Sequence, residues 1–178
     1  EQEFLKELEV VKEERRMRTE DDPESLTYEQ FNAAAYETSP YRIPVIGWAS
    51  DLEAMTVADV RDWYRQWYAP NNATLVVVGD VDHQEVFMLA EKYFGSLVAE
   101  MVPVVRRVVD PVQLGKKRIK IKAPAKEPYL LMGYKSTAIS HASEAWEPYA
   151  LEMLSSVLDS GASSRISRNL VRGSHVAA

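Results

Sequence analysis

Apolar positions in the first twenty residues recur at helical spacing. Phe4, Leu8, Val11 and Met17, set among charges, predict a helix over 2–20. Asp21-Asp22-Pro23 ends it, because proline disfavours helix in the residue before it. A second helix is predicted from Ser25 to Tyr36, with Ser25 as its capping residue. Ser39 to Pro44 reads as an extended linker. The clearest helix runs from Thr56 to Trp67. Val57, Val60, Trp63, Tyr64 and Trp67 form its stripe, and Thr56 and Asp59 have the spacing of a capping box. The β-branched run from Ala73 to Val78 predicts a buried strand closed by Gly79, and a helix follows over 83–95. Residues 98–115 contain Pro103 and Pro111 and no helical period. Arg118-Ile119-Lys120-Ile121-Lys122 alternates with period two, predicting a strand with one wet face over Arg118–Ala123; a further strand is predicted over Tyr129–Tyr134. Helices are predicted from Trp146 to Val157, with Tyr149, Met153, Leu154 and Val157 on one face, and from Arg165 to Arg172 after a flexible turn at Ser160–Ser164. Strands and helices mix without strict alternation, which gives an α+β class.

Composition narrows the chemistry. The chain has 178 residues, 46% hydrophobic, so it has the makings of a core. It has no cysteine, which excludes disulfides, thiolate metal sites and a thiol nucleophile, and fits either cytoplasm or periplasm. No apolar run is long enough to span a membrane. The first 30 residues hold 11 acidic and 5 basic side chains, which accounts for the whole net charge of −6. The balanced remainder argues against a nucleic-acid surface. The cluster Lys116, Lys117, Arg118, Lys120, Lys122 and Lys126 reads as a solvated strand face.

The catalytic inventory is sparse. His83, His141 and His175 are the only histidines, none spaced to share a metal, and each is expected on the surface or in a turn. His-Glu-x-x-His, His-x-x-Glu-His and Gly-x-Ser-x-Gly are all missing. Glu7 and Glu14 lie seven residues apart, nearly two helical turns, so they share a face about 10 Å apart. A solvated acidic helix is one reading. The other is a carboxylate pair beside Val10 and Val11, which burial would make costly unless a metal ion or an arginine met it.

Several segments, in order, resemble one family. These are Glu7-Leu8-Glu9-Val10-Val11-Lys12-Glu13-Glu14-Arg15-Arg16-Met17 with Glu20-Asp21-Asp22-Pro23; Pro40-Tyr41-Arg42-Ile43-Pro44-Val45-Ile46-Gly47; Trp67-Tyr68-Ala69-Pro70-Asn71-Asn72; Val76-Val77-Val78-Gly79-Asp80-Val81; Tyr129-Leu130-Leu131-Met132-Gly133-Tyr134; and Gly161-Ala162-Ser163-Ser164-Arg165. Together they resemble the pitrilysin/insulinase family of zinc peptidases, in its compact bacterial branch related to mitochondrial processing peptidase. The resemblance covers essentially the whole chain.

It implies an inverzincin, in which a His-x-x-Glu-His helix supplies two zinc ligands and the general base, and a later helix supplies a third ligand, a glutamate. Glu14 falls at that third-ligand position, and Glu7 matches the acidic residue that supports the zinc site from its outer shell. The neighbouring Glu13 is the alternative register, but only Glu14 has a glutamate seven residues before it. The His-x-x-Glu-His helix would lie upstream, so the chain reads as a piece of a longer protein with no catalytic residue of its own, unable alone to hold zinc or hydrolyse peptides. Residues 1–98 would be the latter part of the first, zinc-bearing domain, 99–111 a linker, and 112–178 the start of a second, non-catalytic repeat. Both would be sheet-plus-helices domains of a clamshell that encloses peptide or unfolded-protein substrates. In the repeat, Tyr149 and Met153 stand where histidines would be. Arg172 matches a substrate-binding arginine, but Ala178 replaces the tyrosine that accompanies it. That pattern suits the zinc-bearing subunit of a heterodimer with a peptidase-like partner, a homodimer being the other arrangement, and in the isolated piece an exposed sheet edge would favour pairing with another copy. The alternative is a non-catalytic structural or substrate-binding subunit of the same fold.

Overall fold

A computed structural model describes residues 1–106 and 108–176. The expected α+β class is overturned: among these residues there are helices and turns but no strand. The three segments expected as strands, Ala73–Val78, Arg118–Ala123 and Tyr129–Tyr134, run as unpaired chain. A strand exists through its ladder, and β-branched composition records only fitness for a pleated, half-buried surface. Neither a ladder nor a cover is present. Val78, expected to be buried, is 91% exposed, and Ile119 and Lys120 both face solvent. Among the described residues there is accordingly no sheet edge to drive association.

The chain divides into two units, Glu1–Leu131 and Met132–Ala178. In the first, α1 (Gln2–Arg15) passes without a break into a π-helical turn over Arg16–Glu20. The wider π turn shifts the helical phase. Met17, on the extrapolated stripe, falls within this turn and is exposed, whereas Leu8 before it is buried. Helix α2 (Pro23–Ala35) starts two residues earlier than expected, because Asp22 rather than Ser25 caps it. The Asp22 carboxylate accepts from the Glu24 and Ser25 amides and from the Ser25 hydroxyl at 2.5 Å, and Pro23 takes the first helical position, where no amide is needed. A 3-10 turn follows at Pro40–Arg42. Gly47 then adopts φ +86°, a region open to glycine at little cost. Short helix α3 (Ala49–Ala54) lies against α1, with Leu52 only 4% exposed.

Helix α4 (Val57–Trp67) forms as expected, with a complete capping box: the Thr56 hydroxyl accepts from the Asp59 amide, and the Asp59 carboxylate accepts from the Thr56 amide at 2.8 Å. Helix α5 (His83–Phe94) is capped by Asp82. Two long-range ties hold the chain after α5. The Asn71 side-chain amide exchanges two hydrogen bonds with the Glu100 backbone, at 2.9 and 3.1 Å. Asp110 Oδ1 accepts from three successive amides, of Glu37, Thr38 and Ser39, at 2.8–3.1 Å. Lys117 adds an ion pair to Glu37 at 2.8 Å.

The second unit contains a 3-10 turn (Ile139–His141), helix α6 (Glu147–Asp159) and a π turn (Ser167–Val171) inside the region expected as the last helix. The stripe of α6 is exposed at Tyr149, Met153, Leu154 and Val157. No described side chain anywhere is fully buried. The accessible surface is 15568 Å², whereas two separate compact units of these lengths would expose roughly 10,000 Å².

Candidate functional site

The residues singled out in the acidic helix meet different surroundings. Glu7 and Glu14 both lie on α1, Glu7 exposed and Glu14 half-buried. The Glu14 carboxylate pairs with Arg18 one turn on, at 2.9 Å, with side chains 41% and 77% exposed. Glu13 is committed elsewhere. It forks with Arg16 at 2.6 and 2.9 Å, and this hydrogen bonding holds its carboxyl below the usual glutamate range. Glu14 borders an open groove of about 1190 Å³ whose walls include Arg18, Asn32, Tyr41, Ile43 and Tyr129.

Beside Glu14 sits a buried, multiply bonded arginine. Arg15 and Glu29 side chains are each only 6% exposed. Their contact is bidentate, Nη1 to Oε2 at 2.8 Å and Nη2 to Oε1 at 3.0 Å. Nη1 also donates to the Gly47 carbonyl at 2.8 Å, and Glu20 Oε1 lies 3.3 Å from Nε. The hydrogen bonds to Glu29 raise the guanidinium pKa further, so the cation is permanent. One side chain therefore ties α1, α2 and the Gly47 turn together. Nothing local announces it: the partners are 14 and 32 residues apart, and no sequence pattern marks such a pair.

The other candidates are scattered. His83 is exposed on the first turn of α5, edge-on to Phe87. His141 is exposed with its Nδ1 2.8 Å from the Ser140 hydroxyl, and His175 is exposed at φ +54°. All three thus occupy the surface or turn positions expected of them. Arg172 is exposed and donates to the Ala162 carbonyl within its own unit. Ala178, expected to stand in place of the tyrosine, lies outside the described residues. Among the described residues no three His, Cys, Asp or Glu side chains come together to hold a metal. A partly exposed carboxylate on a helix beside an open groove does fit the part of one oxygen ligand to zinc. Glu14 meets that description; a whole site does not form here. No helix of the described residues is long and apolar enough to cross a membrane.

The chain is 36% identical over 174 residues to the zinc protease PqqE of Helicobacter pylori, covering 96% of the chain and 38% of that protein. It is 32% identical over 164 residues to a Mycobacterium leprae protein named as an uncharacterized zinc protease, covering 90% of the chain and 35% of the relative. A crystal structure of a protease from Helicobacter pylori superposes with a TM-score of 0.73 at 32% identity, over 99% of this chain and 43% of that one. The chain thus spans well under half the length of these relatives, and the resemblance to zinc peptidases read from its motifs is borne out. The family model for the peptidase M16 inactive domain matches residues 54–177. With that model matched over more than half its length, the chain belongs to the peptidase M16 family.

Proposed function

We propose that the chain is a portion of a zinc-dependent metalloendopeptidase that acts on peptides or unfolded proteins, and that Glu14 contributes one ligand to its zinc. The observation that carries this reading is the likeness of nearly the whole chain to proteins named zinc proteases. Glu14, which the motif resemblance assigns to the third-ligand position, is on a helix beside an open groove. Its ion pair with Arg18 is no obstacle, since an exposed i,i+4 pair is worth only about 0.2–0.5 kcal/mol. Glu7, one stretch of α1 earlier, would support the site from outside, and Arg172 would contact substrate. In the whole protein the zinc would polarise the scissile carbonyl and acidify a bound water. Residues of this chain supply neither the general base nor a full ligand set, so the isolated chain is expected to be inactive and to bind no zinc in titration calorimetry.

The deciding experiment uses the whole protein beside a Glu14→Gln version. Loss of both zinc and peptidase activity in the variant is the expected result. Unchanged zinc content with Glu14→Gln overturns the ligand assignment. A second reading is a non-catalytic subunit of the same fold, favoured by the match to the inactive-domain model. It predicts a whole protein with neither zinc nor activity, which gains activity only with a zinc-bearing partner. A dimer, homomeric or mixed, is part of either reading and is tested by light scattering.

A further inference from the structure

We propose that the buried Arg15–Glu29 pair is a positioning device for the Glu14 carboxylate, an inference that rests on the ligand reading above. Three observations carry it. The pair joins the last residue of α1 to the middle of α2 through two parallel hydrogen bonds, and a third bond reaches the Gly47 carbonyl. A guanidinium fork held this way fixes direction as well as distance, which a lysine ammonium would not do. Adjacent residues project about 100° apart around a helix, so fixing the azimuth of Arg15 fixes that of Glu14. Immediately afterwards the backbone changes to π bonding over Arg16–Glu20, so the clamp sits where the helical phase changes. Energetics are compatible with this: a buried ion pair contributes little net stability compared with an apolar pair of similar volume. Glu14 and Glu29 border the same groove, so the clamp acts at the wall where the carboxylate is offered.

The test separates positioning from folding. Arg15→Lys, Glu29→Gln, Glu14→Gln and, as a control, Thr56→Ala in the distant capping box are made in the whole protein. Each is checked by circular dichroism to be folded at the assay temperature. Zinc Kd is measured by chelator competition and thermal midpoint in parallel. Arg15→Lys and Glu29→Gln are expected to weaken zinc binding about tenfold, the size of effect seen when outer-sphere partners of metal ligands are removed. Excess zinc should restore their activity. Thr56→Ala should lower the midpoint and leave the Kd alone. If Arg15→Lys and Glu29→Gln lower the midpoint but keep the wild-type Kd while Glu14→Gln loses zinc, the clamp is structural only and the proposal is wrong. If Glu14→Gln keeps its zinc, the ligand reading fails and this inference with it.

Discussion

Arg15 shows how much one side chain can decide. Truncating a single member of a buried ion pair leaves the other charge without its partner, at about 3–5 kcal/mol. Glu29→Ala should therefore be severely destabilising in urea denaturation of the whole protein, whereas the double change Arg15→Met with Glu29→Met should be close to neutral. A double change as damaging as the single one would show that the fold needs the charges themselves. Gly47 belongs to the same constellation. Its φ of +86° is strained for any other L-residue, although a Cβ there would meet nothing nearer than Leu52 at 3.9 Å. Gly47→Ala should thus cost stability through backbone strain alone, more than about 1 kcal/mol, with the Arg15 bond to its carbonyl still formed in the crystal. At this scale the sequence was legible where chemistry was local, as for the histidines by their isolation. Spacing from Glu7 left Glu14 open between a solvated face and a ligand, and only the family resemblance assigned it a role. The partners of Arg15 could not, because nothing in the chain ties position 15 to positions 29 and 47 until the helices are packed.

Helix ends were the most readable elements, since a cap is written in four consecutive residues. Thr56 and Asp59 form the box their spacing announces, and Thr56→Ala should cost about 1 kcal/mol, visible as a lower thermal midpoint. Asp22 takes the cap expected of Ser25 because it precedes a proline already suited to the first turn. Both aspartates hold their carboxyls below the ordinary value. For Asp59 the main cause is the Thr56 hydroxyl bond, and for Asp22 it is the Ser25 hydroxyl bond. A depressed folded pKa stabilises above the ordinary value and is lost as pH falls below it. Helix content should therefore decline as pH drops below about 4, and the decline should shrink in Asp59→Asn; a variant titrating like the wild type would contradict the box as its source. Strands were the least readable. Alternation in Arg118–Lys122 and branching in Ala73–Val78 describe suitability for a sheet, but pairing is non-local, and no ladder forms among the described residues. The π turn after α1 was equally hidden, since helical periodicity extrapolates one phase through it.

For the whole molecule the governing quantity is surface. An accessible area of 15568 Å² leaves apolar faces such as Trp63 and Tyr64 of α4 and Phe87 and Met88 of α5 facing solvent. Hydrophobic burial is the main force offsetting chain entropy, and here much of it is unused. The chain expressed alone should accordingly bind anilinonaphthalene sulfonate and melt without a sharp transition. A cooperative melt with no dye binding would contradict this. The Asp110 carboxylate adds a consequence in time. It gathers three amides 71–73 residues before it, whereas Arg15 reaches a partner only 14 residues away. Loop-closure entropy makes the shorter connection the cheaper to form. On a ribosome the α1–α2 clamp can close while the chain is still short, and the loop at 37–39 must wait, its amides exchanging with water, until residue 110 has been synthesised. Pulse-labelling of nascent chains should find that loop protected last, which leaves one late aspartate to fasten a segment whose neighbours have long been in place.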